Sequence, residues 1–383
     1  VDKIWSVGVS TRTVGVPCEV KKGEHRVAIT PDGVAELVAS DVAVVIESGA
    51  GDDSSITDAD FIAAGAQIAK TADDTWGRAD LVLKVKEPQA SEFGHLRPDL
   101  TLFTYLHLAA YPAVADALIE HRTTAVAYET VQTPAGDLPL LAPMSEVAGR
   151  MATQIGAHFL EREHGGRGVL LGGVPGVRPA RVVVIGAGNV GWNAAWIAQG
   201  MEAEVLLLDK NLDRLRWIDE INQGRIVTVA SNRGALERAC ADADLVIGAV
   251  LVPGGRAPVV VTEAMVKSMK SGAVIVDTAV DQGGCVETIH ETSHDDPVYD
   301  LHDVLHYAVG NIPAAVPNTS TYALTNATLP YAHSLATRGV AEAAAHNADL
   351  AKGINTVNGA ITNGAVADAL GRPHVSVAAA LAA

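Results

Sequence analysis

Short apolar runs rich in Val, Leu and Ile alternate along the chain with longer stretches in which apolar residues recur every three or four positions. The runs predict buried parallel strands, and the three-and-four spacing predicts helices laid over them. In the first part of the chain strands are expected over 14–17, 42–47, 81–86, 101–106 and 124–128, with helices over 32–39, 58–66 and 112–121. That order makes a parallel α/β unit. Residues 145–164 then predict a long amphipathic helix, with Val147, Met151, Ile155 and His158 or Phe159 recurring on one face, that bridges two domains. The glycine-rich stretch 165–176 is read as a connecting hairpin rather than a phosphate loop.

A second series follows, with strands expected over 181–185, 204–209, 226–230, 244–250 and 273–277 and with helices near 211, over 235–241 and over 263–269. These complete a doubly wound sheet whose ligand lies outside the carboxyl ends of its strands. A last helical pattern over 325–344 returns to the first domain. At 383 residues the chain exceeds the usual size of one core, which agrees with two domains.

Within this pattern, Arg181-Val-Val-Val-Ile-Gly-Ala-Gly-Asn-Val-Gly191 reads as strand, glycine turn and helix start, and Glu204-Val-Leu-Leu-Leu-Asp209 as the next strand closed by an acid. This is the dinucleotide-binding order. Gly186 permits the turn, Gly188 lets backbone approach a pyrophosphate, Gly191 lets helix and sheet close up, and Asp209 accepts from ribose hydroxyls. A carboxylate there repels the 2′-phosphate of NADP, so NAD is the expected cofactor. Lys210, Arg214 and Arg216 follow closely and either receive a phosphate or face solvent.

Composition narrows the classes. The formal net charge of −17 argues against a nucleic-acid surface, which relies on Lys and Arg to neutralise phosphates. Cys18, Cys240 and Cys285 show neither CxxC nor zinc spacing and are read as reduced core or near-core thiols, Cys285 as a small buried residue beside a glycine turn. No metal ligands are assigned. No apolar run approaches the roughly 18 residues of a spanning helix, and no signal-peptide pattern opens the chain, so a cytoplasmic protein without a membrane partner is expected.

The chemistry is expected between the domains, at polar residues standing at strand ends in apolar settings. Arg26, before the run Val27-Ala-Ile29, is either a bidentate carboxylate clamp or an exposed turn arginine. Alternation places Lys84 and Lys86 on one face of their strand; Lys86, nearer its end, is the better anion ligand, against a solvated edge lysine. His107 ends the next strand as either a titratable site group or a satisfied core histidine. Asp281, beside Gly283-Gly284, is an acid or base, or a turn cap.

Several segments together resemble the bacterial alanine dehydrogenase family: Arg26-Val-Ala-Ile-Thr-Pro31, Leu83-Lys-Val-Lys-Glu-Pro88, Leu106-His-Leu-Ala-Ala110, Pro139 to Gly149, Gly173-Val-Pro-Gly176, Ala249-Val-Leu-Val-Pro-Gly254, Asp281-Gln-Gly-Gly284 and Thr319 to Thr328. The resemblance implies an α/β fold of two domains, a Rossmann doubly wound parallel sheet at 140–317 inserted in a discontinuous α/β substrate domain formed by 1–139 and 318–383, with residues 1–11 as an extension. It implies reversible oxidative deamination of L-alanine to pyruvate and ammonium with NAD, in a homo-hexamer. Arg26 and Lys86 would hold the pyruvate carboxylate and oxygen, His107 would serve as acid and base, and Asp281 would assist proton transfer. Met144 and Asn311 match pocket positions; Ser145, Asn189, Val190, Arg214, Ser231, Val250 and Leu251 join the glycine turn, Asp209 and Asp281 as cofactor positions. At Asn318 related sequences carry lysine, and at Trp192 smaller residues are frequent. A saccharopine-type lysine-forming dehydrogenase and a transhydrogenase-like NAD-binding module are the alternatives; the His107 and Asp281 segments favour the amino-acid dehydrogenase.

Overall fold

A computed structural model describes residues 12–250, 257–280 and 283–382. The chain divides into two compact units, one running to Pro143 and resuming at Val316, the other Met144–Ala315.

In the first unit six parallel strands, β1 (Thr13–Val16), β2 (Ala43–Glu47), β3 (Gln67–Ala69), β4 (Leu81–Leu83), β5 (Thr101–Thr104) and β6 (Thr124–Ala127), lie in the order β6-β5-β4-β1-β2-β3. The C-terminal segment adds Ile354–Val357 antiparallel to β6 and then Ala360–Ile361. The expected strand over 81–86 ends early, at Leu83. Its physical cause is Glu19, whose carboxylate accepts the Val85 N–H at 2.6 Å and the Lys86 N–H at 3.4 Å and so replaces ladder partners with a side chain. The short β3 and the helix Ala72–Arg78, capped by Thr71, are additions to the expected elements.

The C-terminal helix is Pro317–Arg338, followed after a break at Gly339 by Val340–His346, instead of one helix over 325–344. Gly339 has φ 78°, which ends the first helix, and Pro317 at its first turn starts it earlier than the apolar spacing suggests. The intervening Ser and Thr residues sit in the helix because their hydroxyls bond back into it, as Thr325 Oγ1 does to the Thr321 carbonyl at 2.8 Å. This helix fixes the segment that carries Arg26. Thr321 Oγ1 accepts the Val27 N–H at 3.1 Å and meets Ser54 Oγ at 2.9 Å, and Asn318 donates to the Ser54 carbonyl at 2.7 Å.

In the second unit β7 (Arg181–Ile185), β8 (Glu204–Asp209), β9 (Val227–Ala230), β10 (Leu245–Gly248), β11 (Ala273–Asp277), β12 (Val298–Leu301) and β13 (Val304–Tyr307) form one sheet in the order β12-β13-β11-β10-β7-β8-β9. Only β12 is antiparallel, and the remaining six reproduce the doubly wound order with β7 at the centre. Val182, Val184, Leu207, Ile247 and Val276 face one layer of the core, and Val183, Leu208, Val246 and Ile275 the other, which is why these strands read as unbroken apolar runs. The helix expected over 145–164 is Ala142–Phe159, and a separate 3-10 turn, Arg162–His164, follows it and closes at Gly165 with φ 91°. An antiparallel bridge between Val174 and Val177 makes the glycine-rich connection a tight turn.

Thr321→Val keeps the side-chain volume and removes the acceptor for the buried Val27 N–H. It is expected to lower the unfolding free energy by about 1–3 kcal/mol, read as an earlier midpoint in urea unfolding; an unchanged midpoint would mean that this bond does not hold the segment.

Candidate active site

The segment after β1 buries a guanidinium. Arg26 is 2% exposed, and Glu24 grips it through both oxygens, from Nε and Nη2 at 2.5 Å each, while also accepting the Arg26 N–H at 3.1 Å. The exposed-turn alternative for Arg26 is therefore set aside. A bidentate carboxylate of this kind holds the guanidinium plane in one orientation.

Beyond β4, Lys84 and Lys86 part company. Lys84 is fully buried between Glu19 at 3.2 Å and Glu92 at 2.9 Å, so its charge is compensated within the unit. Lys21 pairs likewise with Glu87 at 2.5 Å. The Lys86 ammonium is half-buried and makes no hydrogen bond or ion pair among the described residues. Burial first, and then the positive field of Arg26, pull its pKa below the usual lysine value. An anion arriving beside Lys86 and Arg26 relieves both penalties.

After β5 the chain turns sharply at His107, whose φ of 46° is uncommon for a side-chain-bearing residue. Glu129 holds the turn, its carboxylate accepting the His107 N–H at 2.6 Å and the Leu106 N–H at 3.2 Å. The imidazole stacks on Tyr105 with centroids 5.6 Å apart and planes 6° from parallel, and Tyr105 is anchored by its hydroxyl to the Leu140 carbonyl at 2.6 Å. His107 is half-buried, and its ring nitrogens make no hydrogen bond among the described residues, which does not fit a satisfied core histidine. Burial raises the Tyr105 phenol pKa, opposed by Arg26 and reinforced by Glu129 and Glu24, so these groups share one electrostatic neighbourhood. The charge of Arg26 thus acts both on Lys86 and on the Tyr105 phenol against which His107 stacks.

The second unit presents the glycine turn. Gly186 has φ 104°, and a Cβ on it would lie 2.4 Å from the Ala249 carbonyl oxygen; one on Gly191 would lie 1.8 Å from the Gly186 oxygen. A Cβ on Gly188 would meet nothing within 4 Å, so that side of the turn is open to a ligand. Gly188 caps the helix Asn189–Gly200 without a side-chain bond, leaving its first N–H groups to an external acceptor; Asn189 is exposed and Val190 half-buried there. Asp209 accepts the Ala187 N–H at 2.6 Å and the Asn211 N–H at 2.7 Å, which fixes its carboxylate at the end of β8. Arg214, left open between phosphate and solvent, instead donates from Nε to the Ala187 carbonyl at 2.8 Å and lies 4.2 Å over the Trp217 ring. These features fit a dinucleotide.

The other expected positions in this unit are distributed as follows. Ser231 follows β9, its N–H bonded to the Asp209 carbonyl at 2.8 Å, and Val250 follows β10, half-buried. Met144 is buried and Ser145 half-buried in the first turn of Ala142–Phe159, and Asn311 takes a left-handed conformation with φ 61°. Leu251 and Asp281 lie outside the described residues. Asp277, missed by the sequence reading, ends β11 fully buried and accepts the N–H groups of Ala279, Cys285 and Val286 at 2.9, 2.7 and 3.2 Å, so it fastens both sides of the segment containing Asp281. Cys285 is buried, with its thiol pKa pushed well above the usual value chiefly by burial, as suits an inert core thiol.

Two family models match the chain in sequence order: the N-terminal domain of alanine dehydrogenase/PNT matches residues 15–148, and the C-terminal domain matches residues 152–364. The chain belongs to the alanine dehydrogenase/PNT family. It is 58% identical over 369 residues to an alanine dehydrogenase of Mycobacterium tuberculosis (strain CDC 1551 / Oshkosh), covering 96% of this chain and all of the relative. The alanine dehydrogenase of Bacillus subtilis (strain 168) is 52% identical across 96% of this chain and 97% of its own length. A solved L-alanine dehydrogenase superimposes with a TM-score of 0.91 at 48% identity, over 94% of this chain and 99% of the other. Membership of this family, with the doubly wound strand order, implies an oxidoreductase with a nicotinamide cofactor. Among the described helices none is long and apolar enough to cross a membrane.

The depressed pKa of Lys86 makes a testable asymmetry. A carboxylate binds the protonated ammonium, so affinity for the 2-oxo acid analogue oxamate is expected to fall as pH rises through that pKa, approaching about tenfold per pH unit. Lys86→Arg, which stays charged, removes this limb. Calorimetric titration between pH 7 and the alkaline limit of the folded protein checks both statements, and pH-independent binding by the unsubstituted chain would exclude Lys86 as the anion's partner.

Proposed function

We propose that this chain is an L-alanine dehydrogenase, catalysing the reversible oxidative deamination of L-alanine to pyruvate and ammonium with NAD. The observation that carries the reading is a Lys86 ammonium that forms no ion pair among the described residues, in the positive field of the fixed Arg26 guanidinium, in a chain homologous to alanine dehydrogenases over nearly its full length.

NAD, held by the glycine turn and Asp209, would supply the acceptor for the hydride lost from the substrate Cα. Loss of that hydride turns the amine into an iminium, water adds to it, and the carbinolamine must then lose ammonia; each later step moves a proton. Arg26, held by Glu24, binds the substrate carboxylate, and Lys86 binds its second oxygen and the developing carbonyl oxygen. Two fixed cations restrict a small anion to few orientations, which lowers the entropic cost of reaching the reactive one. His107 takes and returns the proton at the reacting oxygen, with Glu129 and Tyr105 holding its ring in place. Asp281 assists proton transfer to water and ammonia, and Asp277 positions the segment on which it lies. Met144 and Asn311 line the substrate pocket.

For the cofactor, Gly186, Gly188, Asn189, Val190 and Gly191 present backbone to the pyrophosphate, Asp209 accepts from the ribose hydroxyls, and Ser145, Arg214, Ser231, Val250, Leu251 and Asp281 complete the contacts. The reading includes a cytoplasmic homo-hexamer as the working form.

The deciding experiment follows reduced-nicotinamide absorbance with NAD and a panel of amino acids. Alanine is expected to be preferred; a preference for the lysine and 2-oxoglutarate couple, or hydride exchange between two nicotinamides without any amino acid, would replace the proposal with one of its neighbours. His107→Ala and Asp281→Asn should each reduce kcat by about 100-fold or more while NADH still binds, and near-normal turnover in either would remove its assigned role. Asp209→Ala should narrow the preference for NAD over NADP by at least about tenfold in kcat/KM; an unaltered preference would count against the ribose contact.

A further inference from the structure

We infer that His158, Glu161 and His164 form a binding site for one divalent transition-metal ion, separate from the substrate and cofactor positions. The three residues are spaced by three, and the chain there passes from the last turn of Ala142–Phe159 into the 3-10 turn Arg162–His164. His158 lies in the last turn of the α-helix, Glu161 is the extended residue that precedes the 3-10 turn and His164 ends that turn, so two imidazoles and a carboxylate converge at this helix-to-turn junction.

The metal-ligating atoms of the three residues all lie within 4.8 Å of one another. The imidazole centroids of His158 and His164 are 3.8 Å apart with planes 39° apart, and His164 Nε2 is 3.6 Å from Glu161 Oε2. Neither ring makes a hydrogen bond to the described residues, and all three side chains are exposed. One shared cation can engage a lone pair on each ring and the carboxylate together.

The backbone beneath the side chains is held firmly. The Glu161 N–H donates to the His158 carbonyl at 3.1 Å, the His164 N–H to the Glu161 carbonyl at 3.2 Å and the Gly166 N–H to the same carbonyl at 3.0 Å, while Leu160 is fully buried. Only side-chain rotation is then needed to bring the donors to the roughly 2.0–2.2 Å metal distances of imidazole nitrogen and carboxylate oxygen. Two nitrogens and one oxygen favour Zn2+, Ni2+ or Cu2+ over the hard cations Mg2+ and Ca2+, and water fills the coordination left open.

The test uses the full-length protein without a polyhistidine tag, stripped with a chelator and titrated with Zn2+ against a chromophoric competitor. One equivalent per chain is expected, weakened at least tenfold by His158→Gln or by His164→Gln, with turnover on alanine retained in both variants. Mg2+ at the same concentrations is expected not to compete. Retained turnover shows that the variants fold, so an identical Zn2+ isotherm for variants and unsubstituted chain overturns the site, as does the absence of any Zn2+ binding by the unsubstituted chain.

Discussion

A half-buried ammonium that forms no ion pair among the described residues is the constraint on which the reading of the first unit rests. Taking a cation out of water is costly unless an opposite charge meets it. Among the described residues three other cations of this unit are met by its own carboxylates: Lys84 by Glu19 and Glu92, Arg26 by Glu24, Lys21 by Glu87. The pairing stops at Lys86, and the nearby guanidinium makes its charge still harder to keep. A fold that compensates three neighbouring cations with its own carboxylates and leaves the fourth is arranged to take its missing negative charge from outside. A small carboxylic acid supplies that charge without large surface burial, which agrees with the family's chemistry.

Much of this was legible in the chain. The β-strand positions came from unbroken branched-chain runs, and the glycine turn from steric requirements that no other residue meets at Gly186 or Gly191. Both are local properties of sequence. The distinction between Lys84 and Lys86 was not, because alternation puts both on one face of a strand and nothing nearby separates them. It is made by Glu19, which lies 65 residues from Lys84 and 67 from Lys86 and also ends the strand by capturing two of its N–H groups. Glu24 and Glu129 escaped for the same reason: a carboxylate in a loop is ordinary until the fold closes it against a guanidinium or a backbone turn. The shift of the C-terminal helix from 325–344 to Pro317–Arg338 has a different origin, since Ser and Thr weaken the helical signal while their hydroxyls are satisfied inside the helix.

On the proposed reading, the imidazole of His107 illustrates how such non-local carboxylates serve chemistry without touching a substrate. A left-handed backbone at a histidine is unfavourable and persists only where surrounding bonds impose it. Glu129 supplies those bonds from the segment after β6, and the Tyr105 ring, fastened to Leu140, supplies a flat surface for the imidazole. Ring direction is thereby set while neither nitrogen makes a hydrogen bond among the described residues. A proton-transfer group needs one such nitrogen open to the reacting atom.

In the nucleotide unit the corresponding economy concerns Asp209 and Arg214. An acid at the end of the second strand disfavours a phosphate on the ribose, but a nearby guanidinium could reverse that preference by offering the phosphate a partner. Arg214 is the residue so placed, and it is engaged twice: its Nε supports the carbonyl of Ala187 inside the glycine turn, and its guanidinium lies over the Trp217 ring. Asp209 meanwhile accepts the N–H of the same Ala187. On the proposed reading the two residues brace the two peptide groups that flank the Ala187 Cα, so the arginine otherwise placed to receive a 2′-phosphate is committed to shaping the pyrophosphate turn. Discrimination between the two nicotinamides would then be a property of the braced pair, with the carboxylate repelling the extra phosphate and the guanidinium withheld from it.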